Sequence, residues 1–332
     1  MNATVASTSG VRLAVKVFEP PFRAVGCVGS DGSGGDEGGE GGEGGDGSAP
    51  TSATPIRHVF VFVHPWGLLG GSWYNTQGLA TECAARGATG VCFNLRGVRP
   101  STGRGSLCGH AEVHDVVAVV NWAHRQWCGG DGGDGGNDDD TSVRQSCKLW
   151  IVAQSAGSTT AGSALFKLDR GVCAGICYIG YTFGCATSVL FGRHYKHALR
   201  LPEPDRQRSI FISGTNDCFT TEYTLRRSLA QANHPSGVYL IKGAGHFEIE
   251  QQQYDLTFAR LLLEFAKGGI DQLEELGSFG PGTLVRTIPG KGPAPGCCFI
   301  RCWDFCSKCV TCSLVSTVAA IVLIVLGTQE LI

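Results

Sequence analysis

Short apolar runs alternate with segments of helical spacing along most of the chain, and this alternation restricts the possible folds more than any other feature. Residues 58–63 form a continuous apolar run, as expected of a strand that is covered on both faces. Further strands are predicted at residues 11–18, 90–94, 148–154, 172–179, 209–213 and 238–241. Because helical segments separate these strands, the sequence predicts an α/β architecture, a parallel sheet flanked by helices.

Two glycine-rich tracts interrupt this pattern. Residues 29–48 hold 11 Gly and 6 Asp or Glu, residues 129–141 hold 6 Gly and 5 Asp or Glu, and neither tract contains Lys or Arg. Such segments are too polar to pack, so we expect disordered insertions at the surface of one domain, residues 1–276. The first insertion is expected to extend a hairpin at the edge of the sheet.

The charge of the chain is unevenly distributed. The formal net charge is −2, but outside the two tracts the sequence has 27 basic and 18 acidic residues. This basic excess is spread along the chain, without a Lys/Arg cluster or interleaved aromatic residues. We therefore expect no nucleic-acid partner.

The C-terminal part differs in composition from the rest. Residues 277–296 are rich in Gly and Pro and predict a linker. Residues 297–308 are rich in Cys and are expected to be a juxtamembrane segment, because a candidate membrane span follows them. The 19 residues 309–327 carry no charge, and a helix of that length spans about 30 Å, enough to cross a bilayer core. Since the N-terminus has no apolar signal-peptide region, these features predict a single-pass C-terminal transmembrane tail anchor with the domain facing the cytosol. The alternatives are a buried core helix and an interfacial segment.

Sixteen cysteines are present, but their distribution does not suggest a disulfide framework. Ten are scattered singly through the predicted domain, where reduced Cys behaves as a small hydrophobic residue. Six crowd the region beside the predicted anchor, which suits S-acylation such as palmitoylation; a zinc site is the alternative, although paired C-x-x-C spacing is missing. These six are Cys297, Cys298, Cys302, Cys306, Cys309 and Cys312. We predict reduced thiols.

One segment combines a predicted strand end, a serine and small neighbours. Residues 149–157 have the sequence LWIVAQSAG. A serine at a sharp strand-to-helix turn stands above the sheet, and the following helix directs free N–H groups toward developing negative charge. The usual pattern is G-x-S-x-G, from which Ala153 departs by one methyl group. Ser155 is therefore the predicted nucleophile; the alternative is a helix N-cap serine.

A nucleophilic serine needs a base, and the base needs an acid that orients it. Asp217 and His246 each follow a predicted strand, in the order Ser, Asp, His. Three such side chains fit a catalytic triad at the carboxyl edge of one sheet. Asp205 and Glu222 are competitors for the acid, but neither ends a strand.

Oxyanion donors are expected from the residue after the nucleophile and from a loop after an early strand. Ala156 is the residue after the nucleophile, and the sequence HPWG at residues 64–67 follows the first buried strand. We therefore predict that the backbone N–H groups of Trp66 and Ala156 stabilise the oxyanion. We expect His64 to position its loop rather than to move a proton, and Arg96 to tether a neighbouring loop.

Together these strings resemble the α/β-hydrolase superfamily, in particular a group of uncharacterised hydrolases with HPWGLLGGS, FNLRGV followed by a Ser-x-Gly turn, a serine elbow, GTxD and GxGHF. The matching residues are 64–72, 93–98 with 101–103, 153–157, 214–217 and 243–247. The resemblance covers about residues 56–268 and implies an eight-stranded, mostly parallel sheet and hydrolysis through an acyl-enzyme, without a metal or an organic cofactor. Ala153 and the pair Arg99 and Pro100 depart from the family pattern.

Residues 181–204 are expected to lie over the pocket and to suit an acyl chain with a polar or anionic head. The side chains behind this expectation are Phe183, Leu190, Phe191 and Tyr195, with Arg193, His194 and Lys196 beside them. The sequence thus predicts a membrane-tethered serine hydrolase that cleaves an ester, thioester or amide bond in a small-molecule or lipid-like substrate. A peptidase or transacylase on the same triad and a non-catalytic binding scaffold remain the alternatives.

Overall fold

The central strands alternate their side chains between two hydrophobic layers, one on each face of a sheet. The computed structural model describes residues 1–21, 56–129 and 146–287. In the strand Arg57–Val63, Val61 belongs to one buried cluster and Phe62 to the other. The run is apolar throughout because both of its faces are covered, as the sequence predicted.

The described residues contain nine strands and six α-helices. The strands are β1 (Asn2–Ala6), β2 (Arg12–Phe18), β3 (Arg57–Val63), β4 (Thr89–Phe93), β5 (Cys147–Gln154), β6 (Gly175–Ile179), β7 (Arg208–Gly214), β8 (Ser236–Ile241) and β9 (Gly282–Thr287). The helices are α1 (Gln77–Ala84), α2 (Glu112–Trp127), α3 (Ala156–Ala164), α4 (Cys185–Ala198), α5 (Glu222–Leu229) and α6 (Asp255–Leu276). Helices α1 and α6 cover one face of the sheet, and α2 to α5 contribute to the core on the other.

The strand order is β1-β2-β4-β3-β5-β6-β7-β8-β9. The six strands from β4 to β8 pair in parallel, whereas β1, β2 and β9 are antiparallel to their neighbours. The sheet is therefore mixed and has nine strands in the described residues, and the predicted count of eight is wrong. The two outermost strands have one neighbour each, and β1 buries only Val5.

The first Gly-rich tract does not extend a hairpin. Strand β2 pairs with β1 and β4, so the chain passes from β2 to β3 across β4, and the predicted edge hairpin is wrong. The insertion 29–48 lies outside the described residues, as does all of 129–141 except Gly129.

The ends of the second insertion are joined covalently. Cys128, at the end of α2, and Cys147, at the start of β5, form a disulfide with their Cα atoms 5.1 Å apart. The prediction of reduced thiols is wrong for this pair, because a helix end and a strand start 19 residues apart meet in space.

The sheet continues beyond the predicted end of the domain. Helix α6 runs to Leu276, and β9 (Gly282–Thr287) pairs antiparallel with β8. Residues 282–287 are thus part of the sheet, although 277–296 was predicted to be a linker. The Cys-rich segment 297–308 and the predicted anchor 309–327 lie outside the described residues. Among the helices that the structure describes, none combines the length and hydropathy required to cross a bilayer.

Candidate active site

Ser155 occupies a strained turn between β5 and α3. Its backbone angles are φ 51° and ψ −129°, and it is the one residue other than glycine with a positive φ in the described parts of the chain. Its N–H donates to the carbonyl of Ile179 at the end of β6, at 2.8 Å. Strain of this kind costs about 1–3 kcal/mol and persists only where the surroundings impose it. The Ser155 side chain makes no capping hydrogen bond to α3, so the structure does not support the alternative role as a helix cap.

A glycine beside the serine allows the start of α3 to pass close to the backbone after β3. A Cβ atom on Gly157 would lie 2.1 Å from the carbonyl oxygen of His64, which follows β3. Only glycine therefore fits two residues after Ser155. Ala153, two residues before it, is fully buried in the core, so its extra methyl group is accommodated by packing.

The structure brings the three predicted triad residues together. The hydroxyl of Ser155 donates to Nε2 of His246 at 2.8 Å. The Nδ1–H of the same imidazole donates to Oδ2 of Asp217 at 2.7 Å. Ser155, Asp217 and His246 follow β5, β7 and β8, and parallel strands present their carboxyl ends at the same edge of a sheet. The competitors Asp205 and Glu222 take no part in this relay.

The carboxylate of Asp217 is held by backbone groups as well as by the histidine. Its Oδ1 accepts hydrogen bonds from the N–H groups of Phe219 at 2.8 Å and Thr220 at 2.9 Å, which leaves Oδ2 for the imidazole. Thr220 in turn donates its hydroxyl to the carbonyl of Tyr181 at 2.6 Å. The acid is therefore fixed to the loops after two neighbouring strands.

Two residues that the sequence analysis missed enclose the imidazole of His246. The ring of Phe219 packs edge-on against it, with centroids 4.6 Å apart. On another side lies Gly180, where a Cβ atom would be 3.1 Å from Cε1 of His246. Gly180 follows β6 with φ +63°, and its position after a predicted strand was the one available signal.

The two predicted oxyanion residues line one small pocket. Trp66, Ala156 and Phe191 all contribute to this pocket, which has a volume of about 50 Å³. The carbonyl of Trp66 accepts hydrogen bonds from Leu69 and Gly71, so the loop after β3 is tightly folded. Whether the N–H groups of Trp66 and Ala156 bind an oxyanion stays a prediction.

His64 is a structural residue of this loop. Its Nδ1–H donates to the carbonyl of Pro65 at 2.6 Å, and its Nε2 accepts from the N–H of Leu95 at 3.0 Å. Burial lowers the pKa of His64 to about 4, so the ring is neutral. With both nitrogens engaged by backbone groups, His64 joins the loop after β3 to the loop after β4, as the sequence analysis expected.

Arg96 also acts as a tether. The guanidinium of Arg96 donates two hydrogen bonds to the fully buried carboxylate of Asp115 in α2. The backbone N–H of Arg96 donates to the same carboxylate at 3.0 Å. These hydrogen bonds raise the pKa of Arg96. The loop after β4 is thereby fixed to α2.

The segment 181–204 contributes less to the pocket than predicted. It contains α4, and of its aromatic side chains Phe191 lines the pocket, packing edge-on against Trp66 with centroids 5.4 Å apart. Phe183 and Tyr195 pack into the core instead. His194, expected near a substrate head group, is buried and bonded to Ser163 and to the carbonyl of Cys108. The prediction of a lipid-binding cover is therefore wrong for these three side chains.

The topology and the serine turn together define the α/β-hydrolase fold. The chain is similar to an α/β serine hydrolase homologue from Coxiella burnetii, with a TM-score of 0.52 and 17% identity over 77% of this chain and 95% of that chain. An α/β serine hydrolase without lid from Xanthomonas campestris has a TM-score of 0.51 and 18% identity over 79% and 94% of the two chains. For a thermophilic esterase from Thermogutta terrifontis the TM-score is 0.51 and the identity 16% over 85% and 94%. The resemblance noted in the sequence is confirmed for the fold.

Comparison at the level of sequence gives no further assignment. No protein-family model matches the chain, and no curated protein matches it.

Proposed function

We propose that the protein is a serine hydrolase of the esterase type. The relay from Ser155 through His246 to Asp217 is the observation that carries this proposal, because its two hydrogen bonds of 2.8 and 2.7 Å link a nucleophile, a base and an orienting acid. The names of the similar solved structures, which are serine hydrolases and esterases, support the same reaction class.

The reaction proceeds through an acyl-enzyme. The Oγ of Ser155 attacks the carbonyl carbon of the ester while Nε2 of His246 takes its proton, and Asp217 stabilises the resulting imidazolium. The N–H groups of Trp66 and Ala156 stabilise the oxyanion, each contributing about 3 kcal/mol in sites of this kind. Collapse breaks the bond from carbon to the alcohol oxygen, which receives the proton from His246. Water then releases the acid by the same steps.

The pocket beside the oxyanion donors favours a short acyl group. The pocket is small, about 50 Å³, and Leu68, Leu95, Val98 and Phe191 contribute apolar walls. A space of this size suits a short acyl group better than a long acyl chain. The structure gives no support to the lipid-like substrate expected from residues 181–204.

Ester hydrolysis by single-site variants tests the proposal. The full-length chain is expected to hydrolyse p-nitrophenyl acetate faster than p-nitrophenyl palmitate, and Ser155→Ala is expected to lower kcat by about a thousandfold or more. The matched control is Ser158→Ala, since Ser158 lies one turn further along α3 and its hydroxyl donates to the carbonyl of Ala153 at 2.7 Å. Equal rates for Ser155→Ala and the wild type would contradict the mechanism.

We also propose that residues 309–327 anchor this hydrolase to a membrane, with the domain on the cytosolic side. The support is the sequence itself, in which Arg301 and Lys308 precede 19 uncharged and mostly apolar residues. S-acylation of the six cysteines, four before the span and two at its start, would strengthen the attachment.

A further inference from the structure

A buried carboxyl group lies beside the base without taking part in the triad. Glu250, four residues after His246, places its Oε1 3.8 Å from Nε2 of the imidazole, and its side chain is 10% exposed. This Oε1 has no hydrogen-bond partner among the described residues. A buried oxygen atom without a partner costs free energy, so its position calls for a ligand that donates to it or carries a positive charge.

The chemistry of the proposed reaction places the leaving group near this oxygen. Nε2 of His246 gives its proton to the alcohol oxygen, which must then lie within about 3 Å of that nitrogen. The first atoms of the alcohol portion are therefore close to Oε1 of Glu250. The pocket proposed for the acyl group is lined by Trp66 and Ala156 and does not include Glu250.

Glu250 also lines an open cleft of about 590 Å³ whose character is polar and acidic. Asp255 lines the same cleft, together with the exposed ring of Tyr74. No Lys or Arg is among the described residues that form its walls. Carboxylates and an aromatic face are the groups that bind organic cations in proteins. The cleft therefore suits an organic cation, whereas the proposed acyl pocket has apolar walls.

We propose that Glu250 forms a leaving-group subsite for cations, and that the substrate is an ester of a short acid with an alcohol that carries an ammonium group a few atoms from the scissile oxygen. This inference rests on the proposed hydrolase function. In the acylation step the Oγ of Ser155 forms the new bond to carbon, and the bond to the alcohol oxygen breaks. The amino alcohol leaves with the proton from His246, and its ammonium group remains paired with Glu250 until release.

Ionisation of Glu250 gives the subsite a pH signature. Burial raises the pKa of Glu250 to about 7, with Asp217 acting in the same direction and His246 in the opposite one. Asp255, in the same cleft, also has its pKa raised to about 7, by burial and by Glu82. Cation preference is expected to increase between pH 6 and pH 8.

The test compares two esters of equal shape on the full-length chain. They are 2-(trimethylammonio)ethyl propanoate and its neutral counterpart 3,3-dimethylbutyl propanoate, and the readout is the ratio of their kcat/KM values at pH 8. The wild type is expected to favour the cationic ester by about tenfold, which corresponds to about 1.4 kcal/mol. Glu250→Gln should bring the ratio near one, and Glu250→Asp, which keeps the charge, should give an intermediate ratio. Glu248→Gln is the matched control, because this exposed carboxylate of the same loop bonds to the N–H of Gly245.

Each outcome of this test is decisive. A ratio that falls in Glu250→Gln but not in Glu248→Gln supports the subsite, and so does a wild-type ratio that rises from pH 6 to pH 8. A wild-type ratio near one, or an equal ratio in Glu250→Gln, overturns the subsite while Ser155-dependent hydrolysis of p-nitrophenyl acetate still stands. Absence of any Ser155-dependent hydrolysis overturns the proposed function and this inference together.

Discussion

At the scale of single residues, the site depends on glycines as much as on the triad. Gly157 allows α3 to pass beside the carbonyl of His64, and Gly180 leaves room for the imidazole of His246. Neither glycine carries chemistry, yet each determines where a triad side chain can lie. The geometry of the relay is thus set by the space around it.

Gly180→Ala is expected to reduce activity more than stability. The new methyl group would lie 3.1 Å from Cε1 of His246 at φ +63°, so the ring must shift by a few tenths of an ångström from its position beside Ser155. Since a displacement of about 1 Å can cost about a hundredfold, we expect this shift to lower kcat by about tenfold. The control is Gly171→Ala, which has φ +79° but open space around its Cβ position. It should show a similar loss of thermal stability with kcat near that of the wild type; a similar loss of kcat in both variants would contradict the account.

At the scale of elements, the site is built from loops that follow neighbouring parallel strands. His64 joins the loops after β3 and β4 through its two ring nitrogens, and α3 passes against its carbonyl. A protonated ring could not accept the hydrogen bond from Leu95. The folded state therefore favours the neutral form of His64.

Acid should weaken the contact that His64 makes between the loops after β3 and β4, and it should do so in a defined pH range. The pKa of His64 is about 4 in the folded protein and about 6.5 when unfolded, so the unfolded state binds the additional proton. The corresponding stability is present above pH 6.5 and is lost as the pH falls toward 4, by about 2 kcal/mol between pH 7 and pH 5. Urea unfolding should show this slope in the wild type and a shallower slope in His64→Gln. An unchanged slope in the variant would contradict the role of His64.

The sequence predicted the elements that both faces of the sheet cover and missed those at its edges. Strand β3 was evident because its side chains from Val59 to Val63 each enter one of two cores, whereas β9 has no fully buried residue and lies in a Gly- and Pro-rich region. Ser155, Asp217 and His246 could be predicted because each follows a strong strand signal. Gly180 and Glu250 could not, since their significance lies in distances to His246 that no local pattern encodes. The disulfide between Cys128 and Cys147 could not be predicted for the same reason, since the two residues meet only in the folded chain.

At the scale of the whole molecule, the proposal joins a hydrolase domain to a membrane segment. In the described residues the sheet ends with β9 at Thr287, and 21 residues separate Thr287 from the mostly apolar residues 309–327. Attachment would hold the site near a surface without contributing to its chemistry.

Charges placed within the proposed anchor should release the protein. Arginine near the centre of a transmembrane helix costs about 3 kcal/mol, so the double variant Val318→Arg and Val322→Arg is expected to lose membrane association. The conservative pair Val318→Leu and Val322→Leu should keep it. Alkaline extraction of membranes from cells that express each full-length chain measures the effect. Retention of the arginine variant in the membrane pellet would argue against the anchor.

The covalent reaction of Ser155 is the most direct measure of the whole account. Incubation of the full-length protein with a fluorophosphonate, followed by peptide mass spectrometry, locates the modified side chain. A single phosphonyl group on Ser155, lost in Ser155→Ala and slowed in His246→Ala, is the predicted result. Absence of modification at Ser155, or equal labelling of the wild type and Ser155→Ala, would contradict the proposed hydrolase.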